Sequence, residues 1–198
     1  MHQEPSGGHF LRRFGLAGAL LVSMAISIGA GVSSLALFTD SDDVTGNAFT
    51  AGTIILGASP TSALVSFSDM LPGDVVYGAL TLTNSGTGAL RYSMTTAATN
   101  ADTKNLRDQL EATIREKAAG TCAADFTGAV VDAAGSLASA AFGDSTAGDD
   151  TGDRPLAASG SEILCFKVEL PSDTGNPYQG AATTATFTFA SEQTANNP

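Results

Sequence analysis

Acidic side chains crowd two short stretches of this 198-residue chain. Asp40, Asp42 and Asp43 stand in "DSDD", and Asp144, Asp149, Asp150 and Asp153 stand in "GDSTAGDDTGDRP". Carboxylate oxygens at such density are the ligands that calcium prefers. Neither run has the D-x-[DN]-x-[DN]-G order of a calcium loop, so the plainer reading of each is a solvated acidic loop. Calcium at Asp144, Asp149, Asp150 and Asp153 is the one ligand these residues suggest, and no other cofactor is expected.

Catalytic chemistry finds little to work with. His2 and His9 are the only histidines, both at the extreme N-terminus. A zinc hydrolase of the H-E-x-x-H kind and a Ser-His nucleophile both need an imidazole. Paired carboxylates alone can hydrolyse glycosides. The chain has no Trp and little aromatic content from which to build a sugar platform. No catalytic residue is assigned, and a non-enzymatic role is expected.

The cysteines are Cys122 and Cys165, 43 positions apart. Outside the cytoplasm two such thiols form a disulfide, and only one pairing exists. The chain-entropy model values that loop at roughly 4 kcal/mol. The alternative is two free thiols.

The case for export lies at the N-terminus. Arg12 and Arg13 precede "FGLAGALLVSMAISIGAGVSSLALFT", which carries no charge. Ser34 and Ala36 place small side chains at the −3 and −1 positions of a signal-peptidase site, which predicts cleavage between Ala36 and Leu37. A cut after Ala30 is a second option, and Arg12-Arg13 is a weaker match to a twin-arginine signal. The run is also long enough for an uncleaved membrane anchor. In that case, and only through that segment, the protein is held to a membrane. Every version puts the remainder outside the cell, secreted or at its surface.

Cleavage removes both histidines and, with Glu4, Arg12 and Arg13, makes the formal charge of −11 one unit more negative. So acidic a chain offers no electrostatic footprint for nucleic acid.

Period-2 alternation organises the rest. "VYGALTLTN" sets Val76, Leu80 and Leu82 against Thr81 and Thr83, and after "NSGTG" Leu90, Tyr92 and Met94 alternate with Arg91, Ser93 and Thr95. The pair predicts a hairpin. "EILCFKVELP" sets Leu164, Phe166, Val168 and Leu170 inward, which places Cys165 on the outer face of its strand. "TATFTFA" sets Ala185, Phe187 and Phe189 inward. A short helix is expected over residues 104–109, capped by Asp102 or Thr103, with a strand over 111–117. Residues 133–159, rich in Ala, Gly and Asp, read as a long exposed excursion. About eight short strands with Gly- and Asp-rich turns predict an all-β, jelly-roll-like antiparallel sandwich with a short helix and a long acidic loop, preceded by the signal-peptide helix.

Three stretches together resemble the TasA/camelysin family of secreted bacterial proteins. They are "LALFTDSDDVTGNAFTAGTIIL" after the apolar run, "MLPGDVVYGALTLTNSGTGALRY", and "NPYQGAATTATFTFASEQ". The resemblance implies a jelly-roll-like domain, released by a dedicated signal peptidase and assembled outside the cell into biofilm-matrix fibres. It implies a chain divided into a signal peptide (1–36), a linking segment (37–50) and a sandwich domain (51–198). The linking segment of one subunit would enter the next, head to tail. Leu37, Phe38, Val44 and Phe49 are its apolar side chains. Camelysin-like members are also described as metallo-endopeptidases, which gives one alternative function. A monomeric surface-binding module is another.

Overall fold

The computed structural model describes residues 48–197. The Ala36–Leu37 bond, Leu37, Phe38, Val44 and the "DSDD" aspartates lie outside the described residues. Eight strands follow in order: β1 Leu56–Ser59, β2 Val75–Asn84, β3 Leu90–Ala98, β4 Glu111–Glu116, β5 Val130–Ser136, β6 Arg154–Leu156, β7 Ser161–Glu169 and β8 Ala185–Gln193. They make a five-stranded sheet, β1-β2-β7-β4-β5, and a three-stranded sheet, β6-β3-β8. Every pairing is antiparallel. The protein is an all-β sandwich.

Alternation explains which faces meet. Leu80 and Leu82 of β2, Ile114 of β4, and Leu164 and Phe166 of β7 point inward from the wide sheet. Leu90, Tyr92 and Met94 of β3 and Leu156 of β6 oppose them. Burial of this apolar surface is the main force holding the sheets together. Thr residues fill the outward positions, where β-branched side chains suit a pleated surface.

β2 and β3 do not form the expected hairpin. β2 pairs with β1 and β7, whereas β3 pairs with β6 and β8. The intervening corner carries the chain from one sheet to the other. Because both strands own an apolar inward face, stacking them buries both, which side-by-side pairing would not. Asn84, 1% exposed, fixes the corner. Its Nδ2 donates to the carbonyls of Gly88 (2.8 Å), Ala157 (3.1 Å) and Leu156 (3.3 Å), and its Oδ1 accepts from Gly86 N–H (2.9 Å). A side chain at Gly86 would start 2.3 Å from the Thr53 carbonyl, so only glycine fits there.

"MLPGD" is the turn that launches β2. Asp74 N–H donates to the Leu71 carbonyl (2.9 Å), and Gly73 adopts φ +96°, as the third position of a type II turn requires. Asp74 Oδ2 also accepts from Leu71 N–H at 2.7 Å.

The helix, α1, is a single turn at Leu106–Gln109. Asn105, with φ +58°, occupies the capping position, but its side chain makes no capping bond to the helix. Asp102 instead accepts from Lys104 N–H (3.0 Å) and Ala182 N–H (2.8 Å), organising the preceding turn.

Residues 133–159 are not one exposed excursion. They include the end of β5, a 3₁₀ turn at Leu137–Ser139, and β6. Leu137, Ala140, Phe142 and Leu156 are buried. Phe142 bridges to Met94 on the β6 side of β3. Large apolar residues are sparse in this stretch, but each one is used.

Candidate functional site

Three features outside the shared core carry chemistry or surface. The first is the edge at β8. Among the described residues, β8 pairs only with β3, and no described strand takes its other edge. Its inward side chains, Phe187 and Phe189, are half-buried. Phe187 packs on Phe166 with ring centroids 5.0 Å apart, and Phe189 lies 6.4 Å from both Tyr92 and Phe142.

Between β8 and the inner face of β1 and β2 runs an apolar groove of about 680 Å³. Ala58, Val76 and Leu80 line it on the wide sheet's side, and Thr184, Phe187 and Phe189 on the β8 side. Five strands face three, so at this end of the sandwich the wider sheet has no strand opposite it. Unpaired backbone beside an apolar trough is the geometry that strand addition uses.

The second feature is the acidic loop. Arg91, at an outward position of β3, is 5% exposed because this loop folds over it. Arg91 Nε donates to Glu192 Oε1 at 2.5 Å, Nη1 lies 3.3 Å from Asp149, and Nη2 donates to the Asn197 carbonyl. Asp153 stands 4.0 Å from Nε and also accepts from Asp144 N–H (2.8 Å) and Asp150 N–H (3.4 Å). The hydrogen bond from Arg91 holds the Glu192 carboxyl below its usual range, and the bonds from Thr146 do the same for Asp144. Of the four expected aspartates, the structure places Asp149 and Asp153 beside the buried Arg91, while the Asp144 carboxylate accepts from Thr146 N–H. Among the described residues no group of three or more His, Cys, Asp or Glu side chains is arranged to hold a metal ion.

The third feature is the Cys122–Cys165 disulfide. Cys165 lies on the outer face of β7 but is fully buried, since residues 117–129 cross over it. Phe126 of that crossing meets Tyr77 edge-on at 5.5 Å and receives the Arg115 guanidinium at 5.5 Å. Arg115 Nη1 also donates to the Gly128 carbonyl at 2.9 Å.

A fourth cluster closes one end of the core. Tyr92 Oη donates to Glu162 at 2.5 Å, and Arg154 bridges Glu162 and Glu116, the latter at 2.7 Å. Burial, followed by Glu162, pushes the Tyr92 phenol up. Burial works against the Arg154 charge, but its bonds to Glu162 and Glu116 outweigh it and raise the pKa. Each charge here has its partner, so the cluster reads as structural.

The groove and the Arg91 cluster went unseen in the sequence. An arginine on the outward phase of a strand resembles any solvated residue, and a groove depends on which strands do not face each other. The available hint was a half-apolar last strand, "TATFTFA", whose two Phe residues need a cover.

A family model described as camelysin metallo-endopeptidase matches residues 11–117, just over half the chain. The chain belongs to this family. Its camelysin portion takes in β1, β2, β3, α1 and β4 and stops before the disulfide loop. No curated protein matches this chain. Among solved structures, the ASH/PapD-like domain of human CEP192 (PapD-like domain 7) is 14% identical, covering 81% of this chain and 99% of that one, with a TM-score of 0.30. At that distance nothing is carried over.

The family's description implies a catalytic metal. The described part of this chain does not fit one. It has no histidine, both cysteines are spent in the disulfide, and the Asp153 and Glu192 carboxylates are committed to Arg91 and to backbone donors. An open zinc site draws on such groups in their free form.

Proposed function

We propose that this camelysin-family chain is a secreted, non-enzymatic structural protein that polymerises into extracellular, biofilm-matrix fibres. A signal peptidase cuts between Ala36 and Leu37, and the new N-terminal segment of one subunit adds as a strand to the next. The observation that carries the reading is the edge of β8 that no described strand takes, beside an apolar groove.

Lengths and chemistry support it. β8 has nine residues, about 30 Å of strand, and residues 37–50 extend to about 46 Å, at roughly 3.3 Å per residue. Main-chain bonds along the edge supply affinity, and Leu37, Phe38, Val44 and Phe49 offer apolar side chains to set register. A contact from the front of one copy to the edge of another does not close on itself, so it propagates as a filament. Cleavage outside the cell then confines polymerisation to that side.

Electron microscopy of protein beginning at Leu37, beside protein beginning at Gly46, tests the proposal. Filaments from the longer form alone support it. Filaments from both or from neither overturn it.

The family's description favours a second reading, a metallo-endopeptidase. Casein hydrolysis that survives repurification and is abolished by a chelator would establish it against the first.

A further inference from the structure

The inner face of β2 beside this groove is covered in part by a segment of the same chain, which also walls the groove. Residues 61–70 lie between β1 and the turn that starts β2, and Leu64, Val65 and Phe67 contribute to the groove's lining. Leu64 and Val65 sit directly on β2: a side chain at Gly78 would start 2.6 Å from the Leu64 carbonyl and 2.8 Å from Val65 Cγ1. Gly78 is thus the gap in β2 that lets this segment settle onto the inner face. The fit is through side chains. Among the described residues, no main-chain group of 61–70 takes part in a hydrogen bond. Phe67 remains half exposed at the mouth.

A segment lodged by three apolar side chains, Leu64, Val65 and Met70, with no main-chain bonds among the described residues, is weakly held compared with a paired strand. We propose that residues 61–70 are a displaceable plug of the strand-acceptor groove, which the N-terminal segment of a second copy must move aside before it pairs with β8. The plug covers Leu80 and Val76 in the single molecule, which restrains self-association, and its release sets the pace of nucleation. This inference rests on the fibre reading and adds a regulated step to it.

The test compares the secreted protein beginning at Leu37 with two variants. Gly78→Ala crowds the plug out of its seat, and Leu64→Ser with Val65→Ser removes two of its three apolar anchors while leaving β2 untouched. The second keeps the test valid if the first misfolds. Chymotryptic cutting at Phe67 reports plug release, and the lag before filaments appear reports nucleation. Faster cutting with a lag shortened several-fold is the expected result. Faster cutting with an unchanged or longer lag overturns the plug while leaving fibre assembly intact. Absence of filaments from wild type and variants alike overturns fibre assembly itself, and the plug's restraining role with it.

Discussion

Arg91 Nε and Glu192 Oε1 lie 2.5 Å apart on the outer face of the three-stranded sheet, joining β3 to β8 beneath the acidic loop. The pair gives that loop a fixed place. Asp149 and Asp153 gather round the same guanidinium, and the Asn197 carbonyl accepts from it. One buried cation thereby fastens the loop and the last residues described.

Stability should therefore fall in acid. The Glu192 carboxyl is lowered from its ordinary value of 4.5 by the Arg91 hydrogen bond, and that of Asp144 is lowered from 3.8 by Thr146. A group depressed in the folded state contributes stability that is complete above its unfolded pKa and is lost as pH falls through the folded one. Thermal melts should hold steady above about pH 5 and drop progressively below pH 4. Arg91→Met should lower Tm by several degrees at pH 7 and flatten this acid limb. An unchanged limb would separate the acid response from Arg91.

Asn84→Ala should destabilise the protein by about 2 kcal/mol, since it strips partners from buried carbonyls and from the Gly86 amide. Urea unfolding measures this. A loss under 0.5 kcal/mol would show that water replaces the side chain at the corner.

Reduction of Cys122–Cys165 should cost roughly 4 kcal/mol, the chain-entropy value for a 43-residue separation. It should also speed amide exchange across residues 117–129, which cover Cys165. Intact-mass measurement with and without reductant checks the bond, and identical masses would exclude it.

EDTA should leave Tm unmoved, because the Asp144, Asp149 and Asp153 carboxylates are engaged with Arg91 and with backbone amides. A chelator-dependent fall in Tm, restored by calcium, would instead assign Asp144, Asp149, Asp150 and Asp153 to a cation.

Local pattern was enough to read β7 and β8, because alternation over nine residues has one inward phase. It was also enough for the strand at 111–116. Sheet partners were not legible. "NSGTG" suits a tight hairpin and a sheet-to-sheet corner equally, and the choice rests on Asn84 meeting carbonyls more than 70 positions away. Arg91 likewise looked solvated, because its cover comes from a loop some 50 residues further on. The β8 edge follows from the count of strands in each sheet, which no single segment encodes.

Residues 37–50 of one copy should lie along β8 of another, and electron cryo-microscopy of filaments grown from protein beginning at Leu37 would show it. Continuous density for that segment, hydrogen-bonded to the outer edge of β8 in the neighbouring subunit, is the expected result. Density that returns to β8 of its own subunit, or a β8 edge left unpaired within the filament, would contradict it.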